Sequence, residues 1–306
     1  MFIVSPRIGL CNQLQTIVKG ILLGIKYNRN IYIDRFQTNL YNNNLCDINE
    51  ILDINKINDY IKSLDTKIQI LLKIDVHIIN NIQKYYLPKI DYNMISHETN
   101  INNSIETNQN KNILYLGNIV SLDIYTSFGY DWNDYNNLYH KLMSNIVFHD
   151  KFYKIKDFIK NTLSLTSYRT IHLRIEDDAI NHFSNCFKMS ANEYNSRLLD
   201  FYNKAIIKNN QPTYICSGIL DYDNKLNYKY YTDLMKNNIF LFDKKNIHID
   251  DYYLKNRELI AIIDLLIAYD SHHFIGNGAS SFTLAINAYF RCKKNIDCEI
   301  FYANNI

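Results

Sequence analysis

FIVSPRIGLCNQLQTIVKGILLGIKYNRNIYI, residues Phe2 to Ile33, sets the class of fold. Phe2-Ile3-Val4 is an apolar run of strand length, and Ile31-Tyr32-Ile33 is a second. Between them Leu14, Ile17, Val18, Ile21, Leu22 and Ile25 recur at helical spacing and mark one apolar helix face. A loop from Pro6 to Asn12 joins the first strand to that helix. Strand, loop, helix and strand in this order make a β-loop-α-β unit, the arrangement with which nucleotide-binding domains often open.

Further along the chain the same alternation returns. Residues 37–112 are rich in Asn and Ile with mixed periodicity, and His97 to Asn112 reads as a polar loop. Ile113 to Val120 predicts a strand, and Lys151 to Leu163 a helix that bridges two halves. Thr170 to Ile175 predicts a strand. Ser190 with Glu193 is a capping box opening a helix to about Lys208. Strands are expected at Thr213–Cys216, Ile239–Phe242, His273–Ile275 and Glu299–Tyr302, with a helix over Lys255–Tyr269. Ser280-Ser281 opens one more helix after the turn Gly276-Asn277-Gly278. The reading is an α/β protein with parallel sheets, divided into residues 1–150 and 151–306.

Composition narrows the function. The 306 residues hold 33 Lys+Arg against 31 Asp+Glu, a net +2, which excludes the basic footprint of a dedicated nucleic-acid binder. Asn, Ile, Lys and Tyr are abundant. All four have AT-rich codons, as expected from drift in an AT-rich viral or microbial genome. Gly numbers 8 and Pro 3, so each remaining glycine is a candidate for backbone need. The 6 cysteines form no C-x-x-C pair and suit neither a zinc site nor a disulfide framework, which points to a reducing compartment. Arg7 interrupts the short apolar start, so no signal peptide is read there. The most apolar helical run, Leu259 to Tyr269, carries Asp264 and falls short of the roughly 20 residues of a membrane span. A soluble, cytoplasmic protein is expected.

Four segments could carry chemistry. Gly9-Leu10-Cys11-Asn12-Gln13 lies between a strand and a helix, where free N–H groups and the helix dipole favour an anion. It suits a diphosphate or sugar contact, or an ordinary turn with Asn12 as helix N-cap. His172-Leu173-Arg174-Ile175-Glu176-Asp177-Asp178 ends a strand, where open α/β sheets bind ligands. Its Arg offers a planar fork for phosphate oxygens, though a surface salt-bridge cluster has the same spelling. If the strand runs on, His172 and Arg174 share one face. Phe274-Ile275-Gly276-Asn277-Gly278-Ala279-Ser280-Ser281-Phe282-Thr283 holds two glycines and a helix start, a second anion-suited place or a plain serine cap. Ser217-Gly218 closes a strand and suits a base or ribose, or a β-turn. Asp221-Tyr222-Asp223 spells D-x-D within a Tyr- and Asn-rich loop and not on a strand end, so no metal is expected.

Taken together and in order, these segments resemble the GDP-fucose-dependent fucosyltransferases, in particular the protein O-fucosyltransferases and their plant-type relatives. The family's G-x-x-N-Q loop is similar to Gly9 to Gln13. Its H-L-R-x-E-x-D segment is similar to His172, Leu173, Arg174, Glu176 and Asp178, with Cys186 further on. Its C-terminal segment is similar to Glu258, Asp264, Phe274 to Gly276, Ser280, Ser281 and Phe282. The resemblance implies a GT-B-like architecture, two Rossmann-like domains with parallel sheets facing a central cleft. The N-terminal domain would take the acceptor and the C-terminal one the GDP. It further implies inverting, metal-independent transfer of fucose from GDP-fucose to a glycan or protein hydroxyl, with no cofactor. Arg174 would bind the leaving diphosphate, Asn12 would lie at the reaction centre, and Ser280, Ser281 and Phe282 would hold the pyrophosphate. Gly9, His172, Ser217 and Gly218 would border the donor. Some relatives carry a Glu in the first loop as acceptor base. None lies between Pro6 and Gln13, which leaves the base open among Glu176, Asp177, Asp178 or none. Another nucleotide sugar, or a non-catalytic binding protein of the same fold, are the rival readings.

Overall fold

The computed structural model describes residues 1–39, 44–73, 85–86, 105, 107–108, 111, 113–119, 132–207, 210–219, 226–244 and 247–303. The chain divides into two compact units, Met1–Asp150 and Lys151–Ile306. Among the described residues no helix is long and apolar enough to cross a membrane. All six cysteines are free thiols. Asp221 and Asp223, and most of the expected loop at 97–112, lie outside the described residues.

In the first unit, β1 (Phe2–Val4), β2 (Ile31–Ile33), β5 (Ile70–Leu71), β6 (Tyr85–Tyr86) and β7 (Leu114–Gly117) form one parallel sheet in the order β5-β2-β1-β7-β6. β1 is central and wholly buried, as expected of a parallel strand covered on both faces. Helix α1 (Leu10–Tyr27) follows it. A Cβ on Gly20 would stand 2.9 Å from Val4 Cγ1, and one on Gly24 would stand 2.8 Å from Ile31 Cδ1. Two scarce glycines one turn apart therefore let α1 lie close on β1 and β2. Asn28, left-handed at φ 49°, ends the helix and turns the chain into β2.

The helix starts at Leu10, so Gly9 is its N-cap and Asn12 sits in its first turn, not at the cap. The strand expected at Ile113–Val120 is shorter, Leu114–Gly117. The unassigned stretch holds an antiparallel hairpin, β3 (Phe36–Asn39) with β4 (Asn44–Cys46), and helix α2 (Ile54–Ser63). Asp53 caps α2 by accepting the Lys56 N–H at 3.1 Å. Helix α3 (Trp132–Ser144) completes the described elements of this unit.

Helix α4 (Asp150–Thr162) leads into the second unit. There β8 (Arg169–His172), β9 (Thr213–Cys216), β10 (Leu241–Phe242), β11 (His273–Asn277) and β12 (Glu299–Phe301) form a parallel sheet in the order β10-β9-β8-β11-β12. Helices α5 (Asp177–Cys186), α6 (Ala191–Ile207), α7 (Tyr228–Asn237), α8 (Asp251–Leu254), α9 (Arg257–Asp270) and α10 (Ser281–Tyr289) alternate with the strands. Ile171, Leu173, Ile175, Tyr194, Leu198, Tyr202, Ile215 and Ile275 share one buried core. The serine half of the capping box is formed, with Ser190 Oγ accepting the Glu193 N–H at 3.2 Å, while the Glu193 carboxylate pairs with Arg197 at 2.8 Å.

Two strand ends differ from expectation within the candidate segments. β8 stops at His172, because the Arg174 N–H turns back onto the His172 carbonyl at 3.1 Å and leaves the ladder. Arg174 thus lies in a loop, and strand alternation does not put it on the face of His172. β11 runs two residues longer, because Gly276 and Asn277 pair with Ile300 and Phe301 of β12. The expected Gly276-Asn277-Gly278 turn therefore begins only after Asn277.

Candidate functional site

In the second unit, β8 is the strand from which the chain fills the sheet first to one side, β9 and β10, and then to the other, β11 and β12. The carboxyl ends of β8 and β11 flank this switch point, where open α/β sheets form a ligand crevice. The loops after β8, β9 and β11 meet there through specific bonds.

Arg174 is the centre of the first loop. Its Nη1 lies 2.8 Å from Oε2 of Glu176, and its Nη2 lies 2.9 Å from Oδ2 of Asp178. The Glu176 side chain is 1% exposed, while that of Asp178 is 56% exposed. Burial alone would lower the Arg174 pKa, but Glu176 and Asp178 outweigh it and raise it, so the group keeps its charge. Glu176 is the N-cap residue of α5. Its Oε1 accepts the Gly218 N–H at 2.6 Å, and Ser217 Oγ donates to the Leu173 carbonyl at 2.8 Å. The β9 loop is thereby tied to the β8 loop at two points. Asp177 Oδ1 accepts the Leu226 N–H at 3.1 Å, and Asn227 Nδ2 donates to the Ile175 carbonyl at 2.8 Å.

The β11 loop joins through Thr283. Its hydroxyl lies 3.0 Å from Nδ1 of His172, and the Phe282 ring packs on the imidazole with centroids 4.6 Å apart. Burial, then the charge of Arg174, push the His172 pKa down to about 3, so the ring is neutral at physiological pH. Tyr202 donates to the His172 carbonyl at 2.7 Å and fixes the end of β8 from below. Asn277 donates to Tyr194 Oη at 2.7 Å and accepts the Ala279 N–H at 3.0 Å, which sets the course of the loop into α10. Ser280 is the N-cap of α10 but makes no side-chain cap bond, and among the described residues no side chain bonds the N–H groups of the first turn. A Cβ on Gly276 would stand 2.5 Å from the Thr283 hydroxyl, so glycine there leaves room for the His172 contact.

The structure thus brings together, within one unit, His172, Arg174, Glu176, Asp178, Ser217, Gly218, Ser280, Ser281 and Phe282. Thr283, Tyr202 and Asn277 are parts of this arrangement that the sequence reading did not single out. The buried threonine was inside the quoted Ser-Ser-Phe-Thr segment, but its partner is 111 residues away. Chemically, the arrangement offers a fixed cation and uncovered helix-start N–H groups at one sheet edge, a combination suited to a phosphate. Among the described residues no three His, Cys, Asp or Glu side chains cluster as metal ligands do.

Gly9 and Asn12 belong to the first unit. Gln13 is buried; its Nε2 donates to the Ile8 and Gln37 carbonyls at 2.9 and 2.8 Å, and its Oε1 accepts the Gln37 N–H at 2.8 Å. Gln37 Oε1 accepts the Ile8 N–H at 2.9 Å. These two glutamine side chains, each bonded to the backbone, hold Ile8 at φ 76°, a conformation that a β-branched side chain rarely adopts. Local strain of this kind is kept where the surroundings over-determine it, typically at functional loops. Asn12 is half-buried and its amide makes no hydrogen bond among the described residues.

No protein-family model matches the chain, and no curated protein matches it by sequence. Solved structures do match. POFUT1 in complex with GDP-fucose superposes with a TM-score of 0.63 at 8% identity, covering 99% of this chain and 98% of that one. NodZ α-1,6-fucosyltransferase, co-crystallised with GDP, superposes with a TM-score of 0.57 at 10% identity, covering 93% and 91%. Fucosyltransferase NodZ from Bradyrhizobium gives 0.56 at 10% identity, covering 94% and 91%. The chain has the GT-B-like α/β fold of the GDP-fucose fucosyltransferases over nearly its whole length.

Proposed function

We propose that the protein is a glycosyltransferase that moves fucose from GDP-fucose to a hydroxyl of a glycan or protein, with inversion and without a metal. The observation that carries this reading is the convergence of Arg174, the Gly218 loop and the uncapped start of α10 at one sheet edge, in a fold whose solved examples include GDP-fucose and GDP complexes. In this account residues 151–306 bind the GDP moiety and residues 1–150 the acceptor.

As the bond from the sugar to the diphosphate breaks, negative charge grows on the departing GDP. Arg174 and the N–H groups of Ser281 and Phe282 meet that charge, with Ser280 and Ser281 hydroxyls beside them. One such preorganised donor stabilises a transition state by about 3 kcal/mol. Neutral His172, held by Thr283 and Phe282, donates or accepts a single hydrogen bond at the donor without adding charge. Ser217 and Gly218 border the base or ribose. Glu176 holds Arg174 from the buried side. Asp178 occupies the exposed edge of the guanidinium until a phosphate oxygen replaces it, a cheap exchange because an exposed ion pair contributes only about 0–1 kcal/mol. Asn12 is the candidate for the reaction centre; it is next to Gln13, whose amide bonds the Gln37 backbone.

The test is release of GDP from GDP-fucose by the purified chain, with water as the acceptor and UDP-sugars as controls. Slow release from GDP-fucose that disappears in Arg174→Ala supports the reading. Equal turnover of UDP-sugars would point to another nucleotide-sugar donor, and no turnover of any donor to a non-catalytic binding protein.

A further inference from the structure

A neutral imidazole carries one proton on one of its two nitrogens, and the nitrogen that holds it decides whether the ring gives or takes a hydrogen bond at its other edge. His172 is 7% exposed and ends β8 beside the Arg174 loop. Its Nδ1 lies 3.0 Å from the Thr283 hydroxyl, while its Nε2 makes no hydrogen bond among the described residues. The Phe282 ring packs on the imidazole with centroids 4.6 Å apart and planes at 39°. Tyr202 holds the main chain of His172 through its carbonyl at 2.7 Å. These last two contacts orient the ring but do not choose its tautomer.

The choice falls to Thr283. This residue has no exposed surface, so bulk water does not accept its hydroxyl proton. It stands in the first turn of α10, where a threonine hydroxyl can also bond a carbonyl one turn back. No such bond forms, and among the described residues Nδ1 of His172 is the hydroxyl's one partner. On the β11 side Gly276 brings no side chain, and a Cβ there would stand 2.5 Å from the hydroxyl oxygen. If Nδ1 carried the ring proton and gave it to Thr283, the hydroxyl proton would be buried without an acceptor. That penalty disfavours the arrangement by about 5- to 150-fold. If Thr283 donates to a bare Nδ1, both groups are satisfied and the ring proton sits on Nε2.

We propose that Thr283 is a positioning residue that fixes His172 as the Nε2–H tautomer, so that the ring donates a hydrogen bond to an acceptor oxygen of the bound nucleotide. The proposal rests on the GDP-binding reading above, and every group it uses lies in Lys151–Ile306. It settles the direction of the His172 bond. Arg174 and the first N–H groups of α10 can only donate. With Nε2–H beside them, this edge of the sheet presents donors alone and suits a ligand that turns only oxygens toward it. His172 adds its donor without adding charge next to Arg174. A ligand N–H in the same place would meet another N–H and be rejected.

The experiment compares wild type, Thr283→Val, Thr283→Ser, His172→Ala and the double variant His172→Ala with Thr283→Val, all as full chains. Nitrogen NMR of labelled histidine reads the tautomer, since the protonated and bare nitrogens of a neutral imidazole resonate far apart. Calorimetry reads GDP affinity, and thermal unfolding checks each variant. The wild type should show a protonated Nε2 and a bare Nδ1. Thr283→Val should mix the tautomers and weaken GDP binding by roughly 2- to 10-fold, the worth of one hydrogen bond. Thr283→Ser, which keeps the hydroxyl, should restore the tautomer and most of the affinity, a rescue that a merely structural role would not produce. In the His172→Ala background Thr283→Val should weaken GDP binding no further. A protonated Nδ1 in the wild type overturns the proposal. So does a Thr283→Val variant with unchanged tautomer and affinity, or one whose loss is as large without His172, and all three results leave the parent reading intact. A wild type that binds no GDP overturns the parent reading, and with it the ligand assigned to Nε2–H.

Discussion

Oε2 of Glu176 lies 2.8 Å from Nη1 of Arg174, and the carboxylate is almost wholly buried while the arginine reaches the surface. A buried acid that carries its partner to a sheet edge is a mount for a working cation. The same carboxylate also bonds the Gly218 N–H, so one residue sets the positions of two loops.

The two acids on Arg174 should therefore behave oppositely. Glu176→Gln leaves a buried guanidinium edge without its counter-charge, and breaking a buried pair from one side costs about 3–5 kcal/mol. Thermal unfolding should shift down and GDP affinity should weaken. Asp178→Asn, on the exposed side, should change stability by less than about 1 kcal/mol and should tighten GDP binding by removing a competitor for the guanidinium. Equal effects of the two substitutions in calorimetry would contradict this division.

His172 gives a pH dependence. Its pKa falls from 6.5 in the unfolded chain to about 3 in the folded one. Between those values the unfolded state binds the proton and the folded state does not, so stability is complete above pH 6.5 and declines as pH falls toward 3. The related shift of His273 acts in the same direction. Unfolding midpoints measured from pH 7 to pH 4 should drop less steeply in His172→Gln than in the wild type. Parallel curves would show that His172 is not the buried neutral group described.

Gly276→Ala should separate packing from charge. The added methyl meets the Thr283 hydroxyl and the Phe274 ring, and overpacking of this kind costs about 1–3 kcal/mol. Displacing Thr283 also frees the His172 imidazole, so GDP binding should fall although no charged residue has changed. Full retention of both properties would mean that the β11 loop yields freely.

The Gln13–Gln37 pair should be coupled. Gln13→Ala leaves the residue-37 N–H and carbonyl without their side-chain partner, Gln37→Ala leaves the Ile8 N–H without its acceptor, and both losses fall on the same Ile8 loop. A double-mutant cycle on thermal stability should give an interaction energy of about 0.5–3 kcal/mol. Additive losses would show that the two amides do not act as a unit.

Much of the fold was legible because apolar spacing is local. β1, α1 and β2 follow from Phe2 to Ile33, and β9 and α9 from equally clear runs. The misjudged end of β8 has a physical cause. Ile171, Leu173 and Ile175 alternate as in a strand and are all buried, but the chain leaves the ladder at Arg174, after the Leu173 N–H has bonded the Cys216 carbonyl at 2.8 Å, so Ile175 reaches the core from a loop. Period-two burial does not separate these cases. Helix α2 was hidden by an Asn- and Ile-rich background, although Asp53 with Ile54, Ile57 and Ile61 carries its cap and its buried face. Of the candidate site, the sequence singled out the Arg174 segment and the Ser280-Ser281-Phe282 segment as candidates. It missed Thr283, Tyr202 and Gln37, whose importance lies in contacts across tens of residues.

The central claim is tested most directly by calorimetric titration of the chain with GDP, with UDP as control and Arg174→Ala alongside. The account predicts micromolar GDP binding, lost in Arg174→Ala and absent for UDP. No binding of GDP by the wild type, or binding that survives the loss of Arg174, would contradict it.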